Sequence, residues 1–326
     1  MSVIILTEPK GYSSKAIDTL KKLGPVYVWS DAIKKPNIMR TADILAVKLG
    51  MRISRKVMDR FPNLKIIATS TTGLNHIDVA EAEERGINIV SLRGEALFLK
   101  KITPTAEETI GLVVALMRKL PWAFESLKRG EWTREKFYGR ELYGRTLGIV
   151  GFGRLGSIVA KYAKCFGMSV VAYDPYVSRE VMQRAGARKI DLGEVFRTSD
   201  VISIHVLLTD KTHDLIKRNH FKSMKKSAYF INTARGEIID EKALLEALHK
   251  KWIAGAALDV LSGEDPKGGH IKKNPLVEYA KRHDNLLIVP HLGGASFDAM
   301  RRTEEFIAEK ILNEVQNPKH KIQNKS

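Results

Sequence analysis

The sequence is poor in cysteine and has no long apolar run. Its single cysteine, Cys165, excludes an intramolecular disulfide and is typical of a reducing compartment. Cys165 lies at apolar helical spacing behind a glycine-rich segment, so we expect it in the core. No segment approaches the roughly 20 apolar residues that a membrane span needs. The N-terminal "MSVIILTEPKG" predicts a strand and not a signal peptide. We therefore expect a cytoplasmic protein.

Long runs of one charge are also missing, although basic residues are in excess. The chain carries 54 Lys and Arg against 37 Asp and Glu, a formal net charge of +17, which attracts anions. The basic residues are spread over predicted helices, as in "ARKI", "KKWIAG" and "AKRHD", with neither zinc-finger nor RNP spacing. We predict a basic surface suited to small anions, without a nucleic-acid partner, a membrane partner or a metal. DNA binding through the net charge is a minor alternative.

Internal repeats and low-complexity segments are absent, which excludes solenoids and disordered arrays. At 326 residues, with 44% hydrophobic and 28% charged residues, the chain has the composition of an ordinary globular protein. Its length favours two domains.

Short apolar strands alternate with helical patterns in two blocks. The first block contains "VIIL", "VYVW", "DILAV", "LKIIATS" and "INIV"; the second contains "TLGIV", "SVVAY", "VISIHV", "AYFIN", "AGAALDV" and "NLLIV". This alternation predicts a parallel sheet covered by helices in each block, and six strands match a complete dinucleotide-binding fold. Between the blocks, Thr105 and Glu108 form a capping-box pattern before the apolar helix "TIGLVVALMRKL", which Pro121 is expected to end.

The segment "TLGIVGFGRLGSIVAKYAKCFG" contains Gly151, Gly153 and Gly156 in G-x-G-x-x-G spacing. The glycines follow a strand and open a helix, so the N–H groups of the turn would face a pyrophosphate. Asp174 ends the next strand, 23 residues after Gly151 and close to the usual separation of about 20. An Asp there accepts hydrogen bonds from ribose hydroxyls and repels a 2′-phosphate, which favours NAD over NADP.

Three residues that could perform acid–base chemistry each follow a strand of the second block. Arg235 follows "AYFIN", Glu264 follows "AGAALDV" and His291 follows "NLLIV". The carboxyl ends of parallel strands share one edge, so all three should face the same crevice. Histidine transfers protons near neutrality, and arginine holds a carboxylate through two parallel hydrogen bonds. Singly, they could be a surface ion pair, a turn acid and a packing residue. Together they indicate hydride transfer to a 2-oxo acid.

With these residues in place, the motifs "LGIVGFGRLG", "INTARGEIIDEKAL", "AGAALDV" and "PHLGGAS" make the chain resemble the D-isomer-specific 2-hydroxyacid dehydrogenases. This family includes D-lactate, phosphoglycerate and glyoxylate/hydroxypyruvate dehydrogenases. The resemblance implies that Arg235 binds and polarises the substrate, that His291 is the acid/base and that Glu264 pairs with His291. We predict an α/β protein with two doubly wound parallel-sheet domains. These are a flavodoxin-like substrate-binding domain, residues 1–103 and 292–326, and an inserted Rossmann NAD-binding domain, residues 104–291.

The resemblance also implies which residues contact the ligands. Those expected along NAD are Gly151, Gly153, Arg154, Leu155, Gly156, Asp174, His205, Thr233, Ala234, Asp259 and Thr105. Those expected at the substrate are Lys48, Leu49 and Gly50 in "VKLGMR", Gly73 in "TTGLNHID", and Arg235. Lys48 occupies a position where phosphoglycerate dehydrogenases often carry a basic residue, which slightly favours 3-phosphoglycerate over glyoxylate or hydroxypyruvate. Formate dehydrogenases carry Gln where Glu264 stands, which disfavours formate.

Several features depart from the family pattern. Leu207 replaces a proline common near the adenosine, residues 95–104 exceed the usual linker, and the chain ends one helix after His291, so we expect no regulatory C-terminal domain. A homodimer is implied, with "PWAFESLKRGEW" as a contact arm. Abundant Lys, Ile and Glu favour a thermophilic source. The main alternative is an NAD(H)-sensing interaction protein with little turnover, like the C-terminal-binding-protein corepressors that share the fold.

Overall fold

The structure, a computed structural model, describes residues 1–10, 12–265 and 267–317. These residues form two compact units. The first unit consists of Met1–Ile102 and the chain from Ser296 onward, and the second consists of Thr103–Ala295. The second unit is therefore inserted into the first.

The first unit contains a parallel sheet. Its strands are β1 Val3–Leu6, β2 Val26–Val28, β3 Ala42–Val47, β4 Ile66–Thr69 and β5 Asn88–Val90. They lie in the order β2-β1-β3-β4-β5, and all neighbours are parallel. This is the flavodoxin-like order, which confirms the predicted fold class.

Helices cover both faces of this sheet. They are α1 Ser14–Lys21, α2 Trp29–Ala32, α3 Pro36–Thr41, α4 Arg55–Met58, α5 Val79–Glu84, α6 Ala96–Leu99 and α15 Phe297–Gln316. One apolar core joins Ile4 and Leu6 of β1 to Ile307 and Ile311 of α15. The opposite face of the sheet packs Ile5 and other strand residues against the α3–α5 side. The last described helix thus completes the core that the first strand begins.

The second unit contains a larger parallel sheet. Its strands are β6 Thr146–Val150, β7 Ser169–Tyr173, β8 Arg188–Lys189, β9 Val201–Ile204, β10 Tyr229–Asn232, β11 Gly255–Leu258 and β12 Leu286–Ile288. The order is β12-β11-β10-β9-β6-β7-β8. The strand order reverses between β6 and β9, as in a Rossmann fold.

The helices of the second unit also lie on both faces of its sheet. They are α7 Pro104–Met117, α8 Leu120–Lys128, α9 Arg154–Cys165, α10 Arg179–Arg184, α11 Leu192–Thr198, α12 Arg218–Ser223, α13 Glu241–His249 and α14 Pro275–Ala280. Short 3₁₀ helices are formed by Arg134–Phe137, Gly236–Ile238 and Gly269–Lys273. None of the helices within the described ranges is both long and apolar enough to cross a membrane.

Two predictions about strands and helices in this unit were wrong. The described residues of the second unit contain seven strands where six were predicted, because "ARKI" forms the short edge strand β8 instead of a helix. Two charged residues at a sheet edge carry no apolar alternation that would identify a strand. The basic residues Arg188 and Lys189 pair with Val171 and Ala172 of β7.

The capping prediction for α7 was also wrong. The helix begins one residue before Thr105, with Thr103 as N-cap and Pro104 at its first position. Proline is well suited to that position because its fixed φ is helical and it needs no N–H acceptor. The helix ends at Met117 and not at Pro121. Pro121 lies instead in the first turn of α8, which follows Lys119 at a left-handed φ of 53°.

Cys165 is exposed, contrary to its predicted place in the core. The buried face of α9 is formed by Gly156, Val159, Ala160 and Ala163. Two residues beyond Ala163, the helix has turned about 200°, so Cys165 lies on the opposite side.

Candidate active site

The glycine turn lies where the strand order of the second sheet reverses. Gly151 directly follows β6 and has a φ of +94°. A Cβ there would lie 2.7 Å from the carbonyl carbon of His205, which follows β9. A Cβ on Gly156 would lie 2.2 Å from the Gly151 oxygen. Glycine is therefore required at both positions, one for its conformation and close approach and one for helix packing.

Gly153 has a different environment. It is the N-cap of the 12-residue helix α9, provides no side-chain cap, and a Cβ there would meet nothing within 4 Å. The N–H groups of a first helical turn lack intrahelical acceptors and attract anions. Arg154 and Leu155, both half-buried, form the start of that turn. The open space above a helix N-terminus fits a pyrophosphate group.

Asp174 lies beside this turn, after the end of β7. One carboxylate oxygen accepts a hydrogen bond from the Phe152 N–H at 2.9 Å, and the other accepts one from the Tyr176 N–H at 2.9 Å. The carboxylate is thereby fixed next to the glycine turn.

His205, at the end of β9, contacts the Ser203 hydroxyl through Nε2 at 2.8 Å. Burial lowers the pKa of His205 to about 4, so the ring is neutral at physiological pH. The neighbouring Leu207 is 80% exposed.

His291 and Glu264 form a close pair at the carboxyl edge of the same sheet. His291 Nδ1 lies 2.6 Å from Glu264 Oε2, and the other Glu264 oxygen accepts a hydrogen bond from the Leu261 N–H at 3.1 Å. Burial raises the pKa of Glu264, but the hydrogen bond and charge of His291, the Leu261 N–H and the charge of Arg235 together lower it below its usual value. Glu264 is therefore an anion suited to orient an imidazole and stabilise its protonated form.

The backbone around His291 is held by Asp259, which follows β11. Asp259 is 1% exposed, and its carboxylate accepts hydrogen bonds from the Leu292 N–H at 2.5 Å and the Gly293 N–H at 3.0 Å. The His291 N–H donates to the Asp259 carbonyl at 2.9 Å. These contacts hold His291 at a left-handed φ of 52°, a conformation that non-glycine residues rarely adopt. Asp259 thus positions the histidine segment.

Glu108, predicted only as a capping residue, lies beside this segment. A Cβ on Gly293 would lie 3.0 Å from Glu108 Oε2 and 3.1 Å from Asp259 Oδ2. Both Glu108 oxygens are buried and make no hydrogen bond of good geometry within the described part of the chain. Burial and the Asp259 charge raise the pKa of Glu108 to about 8. The sequence signal for the Glu108–Asp259 pair is an acidic residue on the apolar face of a long helix.

Arg235 follows β10 in a turn that Asn232 holds from both sides. The Asn232 side chain donates to the Arg235 carbonyl at 2.9 Å and accepts from the Ala234 N–H at 3.0 Å. Arg235 Nη1 donates to the Ala234 carbonyl at 2.6 Å. Asn232 was not predicted as part of the site, although an Asn at the start of a tight turn commonly bonds to the following backbone.

Helix α7 contributes two threonines next to these turns. The hydroxyls of Thr109 and Thr233 are 2.9 Å apart, and the Thr105 hydroxyl donates to the Gly293 carbonyl at 2.9 Å. The helix therefore ties the Arg235 turn to the histidine segment within the second unit.

The residues expected at the substrate's other end lie in the first unit. Leu49 is exposed. Lys48 is largely buried and forms an ion pair with Glu304. Gly50 lies against Glu8: a Cβ on it would lie 3.0 Å from Glu8 Oε1. The Gly73 carbonyl accepts a hydrogen bond from the Thr71 hydroxyl at 2.7 Å. Of the residues with described positions, no three His, Cys, Asp or Glu side chains group as metal ligands would.

Comparison with known proteins identifies the second unit. Residues 110–293 match the family described as D-isomer specific 2-hydroxyacid dehydrogenase, NAD binding domain. The chain is 40% identical over 314 residues to a D-3-phosphoglycerate dehydrogenase of Methanocaldococcus jannaschii, a match that covers 95% of this chain and 57% of the relative. It spans little more than half the length of that relative.

Other relatives match over nine-tenths or more of their length. A hydroxypyruvate reductase of Thermotoga maritima is 36% identical over 291 residues, covering 88% of this chain and 90% of the reductase. The crystal structure of D-lactate dehydrogenase from Aquifex aeolicus, complexed with NAD and lactic acid, superposes with a TM-score of 0.82 at 28% identity, covering 98% of this chain and 97% of that one.

Proposed function

The chain belongs to the D-isomer-specific 2-hydroxyacid dehydrogenases, and from that premise we propose that it is an NAD-dependent oxidoreductase. Its reaction is hydride transfer between NAD(H) and a short 2-oxo or 2-hydroxy acid, with 3-phosphoglycerate, glyoxylate and hydroxypyruvate as the candidate substrates. The observation that carries the proposal is the 2.6 Å pair of His291 Nδ1 and Glu264 Oε2, with Arg235 close enough to lower the pKa of Glu264.

In the direction of reduction, His291 donates a proton to the substrate's carbonyl oxygen, and in oxidation it removes the proton from the hydroxyl. Because Nδ1 is held by Glu264, the other ring nitrogen, Nε2, is the atom that faces the reaction. The Glu264 carboxylate fixes the ring's orientation and stabilises the imidazolium, as the acid of a catalytic triad does. When bound, NADH would supply the hydride.

Arg235 binds the substrate carboxylate and polarises the carbonyl. A guanidinium matches a carboxylate through two parallel hydrogen bonds, which fixes the position of the reacting carbon. Asn232 and Asp259 are positioning residues. Asn232 holds the Arg235 turn, and Asp259 holds the His291 backbone.

The proposed dinucleotide site extends from the glycine turn to the carboxyl ends of β10–β12. The open space above Gly153 supports binding of the pyrophosphate, with Arg154, Leu155 and Gly156 around it. The fixed Asp174 carboxylate supports NAD over NADP, since it would repel a 2′-phosphate. His205, Thr233, Ala234, Asp259 and Thr105 are proposed to lie along the rest of the cofactor.

We assign substrate binding to the loops of the first unit that contain Lys48, Leu49, Gly50 and Gly73, and NAD binding to the second unit. We propose a cytoplasmic location from the single cysteine, which is typical of a reducing compartment. We propose a homodimer from exposed apolar residues on and after α8. These are Leu120, Phe124, Leu127 and Trp132. The composition supports a thermophilic source.

A substrate panel tests the function. Purified protein should oxidise NADH faster than NADPH with at least one of glyoxylate, hydroxypyruvate and 3-phosphohydroxypyruvate. If NADH binds but none of these 2-oxo acids is turned over, the dehydrogenase proposal fails and a nucleotide-sensing role is favoured.

A further inference from the structure

A cluster of charged side chains lies at the point where the strand order of the first sheet reverses. The chain runs from β1 outward to β2 and then crosses to β3 on the other side of β1. Ligands of open parallel sheets bind outside the carboxyl ends of the strands at such a reversal. Glu8 follows β1 there, and Lys48 follows β3.

Lys48 is already fully engaged within the first unit. Its Nζ lies 2.5 Å from Glu304 Oε1 of α15, and the two side chains are 13% and 1% exposed. The same Nζ donates to the Lys10 carbonyl at 3.0 Å and lies 4.5 Å from the centre of the Tyr12 ring. The ammonium thus has a carboxylate, a carbonyl and an aromatic ring as partners.

Carboxyl groups outnumber ammonium groups in this cluster. Glu8 lies against the backbone of Gly50, two residues after Lys48. Burial raises the pKa of Glu8 and of Glu304. The charge of Lys48 acts to lower both pKa values, but the effect of burial is larger. Burial, together with the charges of Glu304 and Glu8, also raises the pKa of Tyr12. With both glutamates ionised, the cluster carries one net negative charge.

A dianionic phosphate would gain little from this cluster. Lys48 could reach it only by leaving Glu304, and separating a buried ion pair is strongly unfavourable because it leaves an uncompensated buried charge. If Lys48 kept its partner, the phosphate would be repelled by two nearby carboxylates. An uncharged tail, such as a hydrogen or a hydroxymethyl group, meets neither penalty.

We propose that Glu304 is a specificity-determining residue that withdraws Lys48 from the substrate and restricts the enzyme to 2-oxo acids with an uncharged tail. This inference rests on the proposed function and narrows its substrate class. It reverses the sequence-based preference for 3-phosphoglycerate, because the position of Lys48 in the sequence did not reveal its partner 256 residues away.

The wild-type protein provides the first test. With saturating NADH, kcat/KM for hydroxypyruvate should exceed that for 3-phosphohydroxypyruvate by at least about tenfold. A preference for the phosphorylated acid overturns the inference while it supports the dehydrogenase function. Turnover of neither acid, nor of glyoxylate, means that the proposed function itself has failed.

The variant Glu304→Gln tests the role of the pair. It frees the Lys48 charge and removes one carboxylate, so kcat/KM for 3-phosphohydroxypyruvate should rise at least about tenfold relative to hydroxypyruvate. The double variant Glu304→Gln/Lys48→Gln should lose that gain. An unchanged ratio in correctly folded Glu304→Gln, checked by circular dichroism, overturns the inference.

Glu305→Gln is the matched control. Glu305 is the next residue on α15, and its ion pair with Lys15 at 3.2 Å lies near the surface. This variant should leave the ratio of the two kcat/KM values within about twofold of the wild type. A gain in Glu305→Gln equal to that in Glu304→Gln would mean that overall charge, and not the Lys48 pair, sets the preference.

Discussion

The imidazole of His291 and the carboxylate of Glu264 are 2.6 Å apart, although 27 residues separate them in the chain. Their distance is set by two parallel strands, β11 and β12, whose carboxyl ends lie side by side. The pair is therefore built by the sheet and is reinforced by the Asp259 contacts to the residues that follow the histidine.

Glu264→Gln should reduce the rate of 2-oxo acid reduction by about tenfold to a hundredfold at neutral pH. The neutral amide no longer stabilises the imidazolium, so the pH at which the reduction rate falls should move to lower values. The pH profile of kcat/KM provides the measurement. An unshifted profile would contradict the pairing role. The exposed Glu278→Gln, from an ion pair with Lys281, is the control.

His291→Ala should lower kcat by about 10²–10⁴-fold, since no other group replaces its proton. Binding of NADH, followed by fluorescence, should be unchanged because the imidazole acts on the substrate. A mild loss of kcat would disprove the acid/base role. The exposed His213→Ala should behave as wild type.

Gly151→Ala should lower stability, whereas Gly153→Ala should weaken NADH binding. At Gly151 a Cβ meets the His205 backbone and requires a φ of +94°, so this variant should unfold more easily by about 2–4 kcal/mol. At Gly153 the Cβ meets only open space, so stability should be retained while NADH binding weakens by at least about tenfold. Thermal melts and NADH titrations distinguish the two. Unchanged NADH affinity in Gly153→Ala would place the pyrophosphate elsewhere.

Asp174→Ala should shift the cofactor preference toward NADPH. The ratio of kcat/KM with NADPH to that with NADH should rise at least about tenfold, because the carboxylate that repels a 2′-phosphate is gone. The N–H groups of Phe152 and Tyr176 lose their acceptor, so stability should fall by about 1–2 kcal/mol. The exposed Asp284→Ala serves as control, and an unaltered ratio would argue against ribose recognition by Asp174.

Glu108→Gln should change how stability depends on pH. The folded-state pKa of about 8 lies above the ordinary value of 4.5. Between these values the folded protein holds a proton that the unfolded chain has released, so stability falls as pH rises through this window and levels off above it. After discounting for partial exposure, wild type should lose about 2 kcal/mol more than Glu108→Gln between about pH 5 and about pH 9.

Denaturant melts at the two pH values measure this difference. Glu107→Gln is the neighbouring control, since Glu107 is exposed on the same turn. Equal pH dependence in wild type and Glu108→Gln would show that Glu108 titrates normally.

Strong local signals allowed much of the fold to be predicted. Apolar strand segments and the glycine turn located the strands of both sheets except β8, whose two charged residues lack any alternation. The strand-edge argument placed Arg235, Glu264 and His291 after β10, β11 and β12, where they lie; their roles stay predictions. The helix caps and the exposure of Cys165 were predicted wrongly because each depends on a single residue. A shift of one position along a helix rotates a side chain by about 100° and can move it from the buried to the exposed face.

Contacts between distant segments could not be predicted. In the sequence, nothing distinguishes Lys48 or Glu304 from other charged residues. Only the packing of α15 against the first sheet brings them together. Glu108 and Asp259 likewise come from a helix and a strand end far apart in the chain. Burial, which raises the pKa values of Glu304, Glu108 and Asp259, is a property of the tertiary structure alone.

The return of α15 to the core of β1 has a consequence for synthesis on the ribosome. Ile307 and Ile311, which cover Ile4 and Leu6, emerge roughly 300 residues after them, about 15 to 60 s later at typical elongation rates. During that interval the inserted unit, which is continuous in sequence, has all its own strands and can fold first. The nascent first unit meanwhile exposes the apolar sheet face that α15 later covers, and such exposed surface favours aggregation until the helix is made.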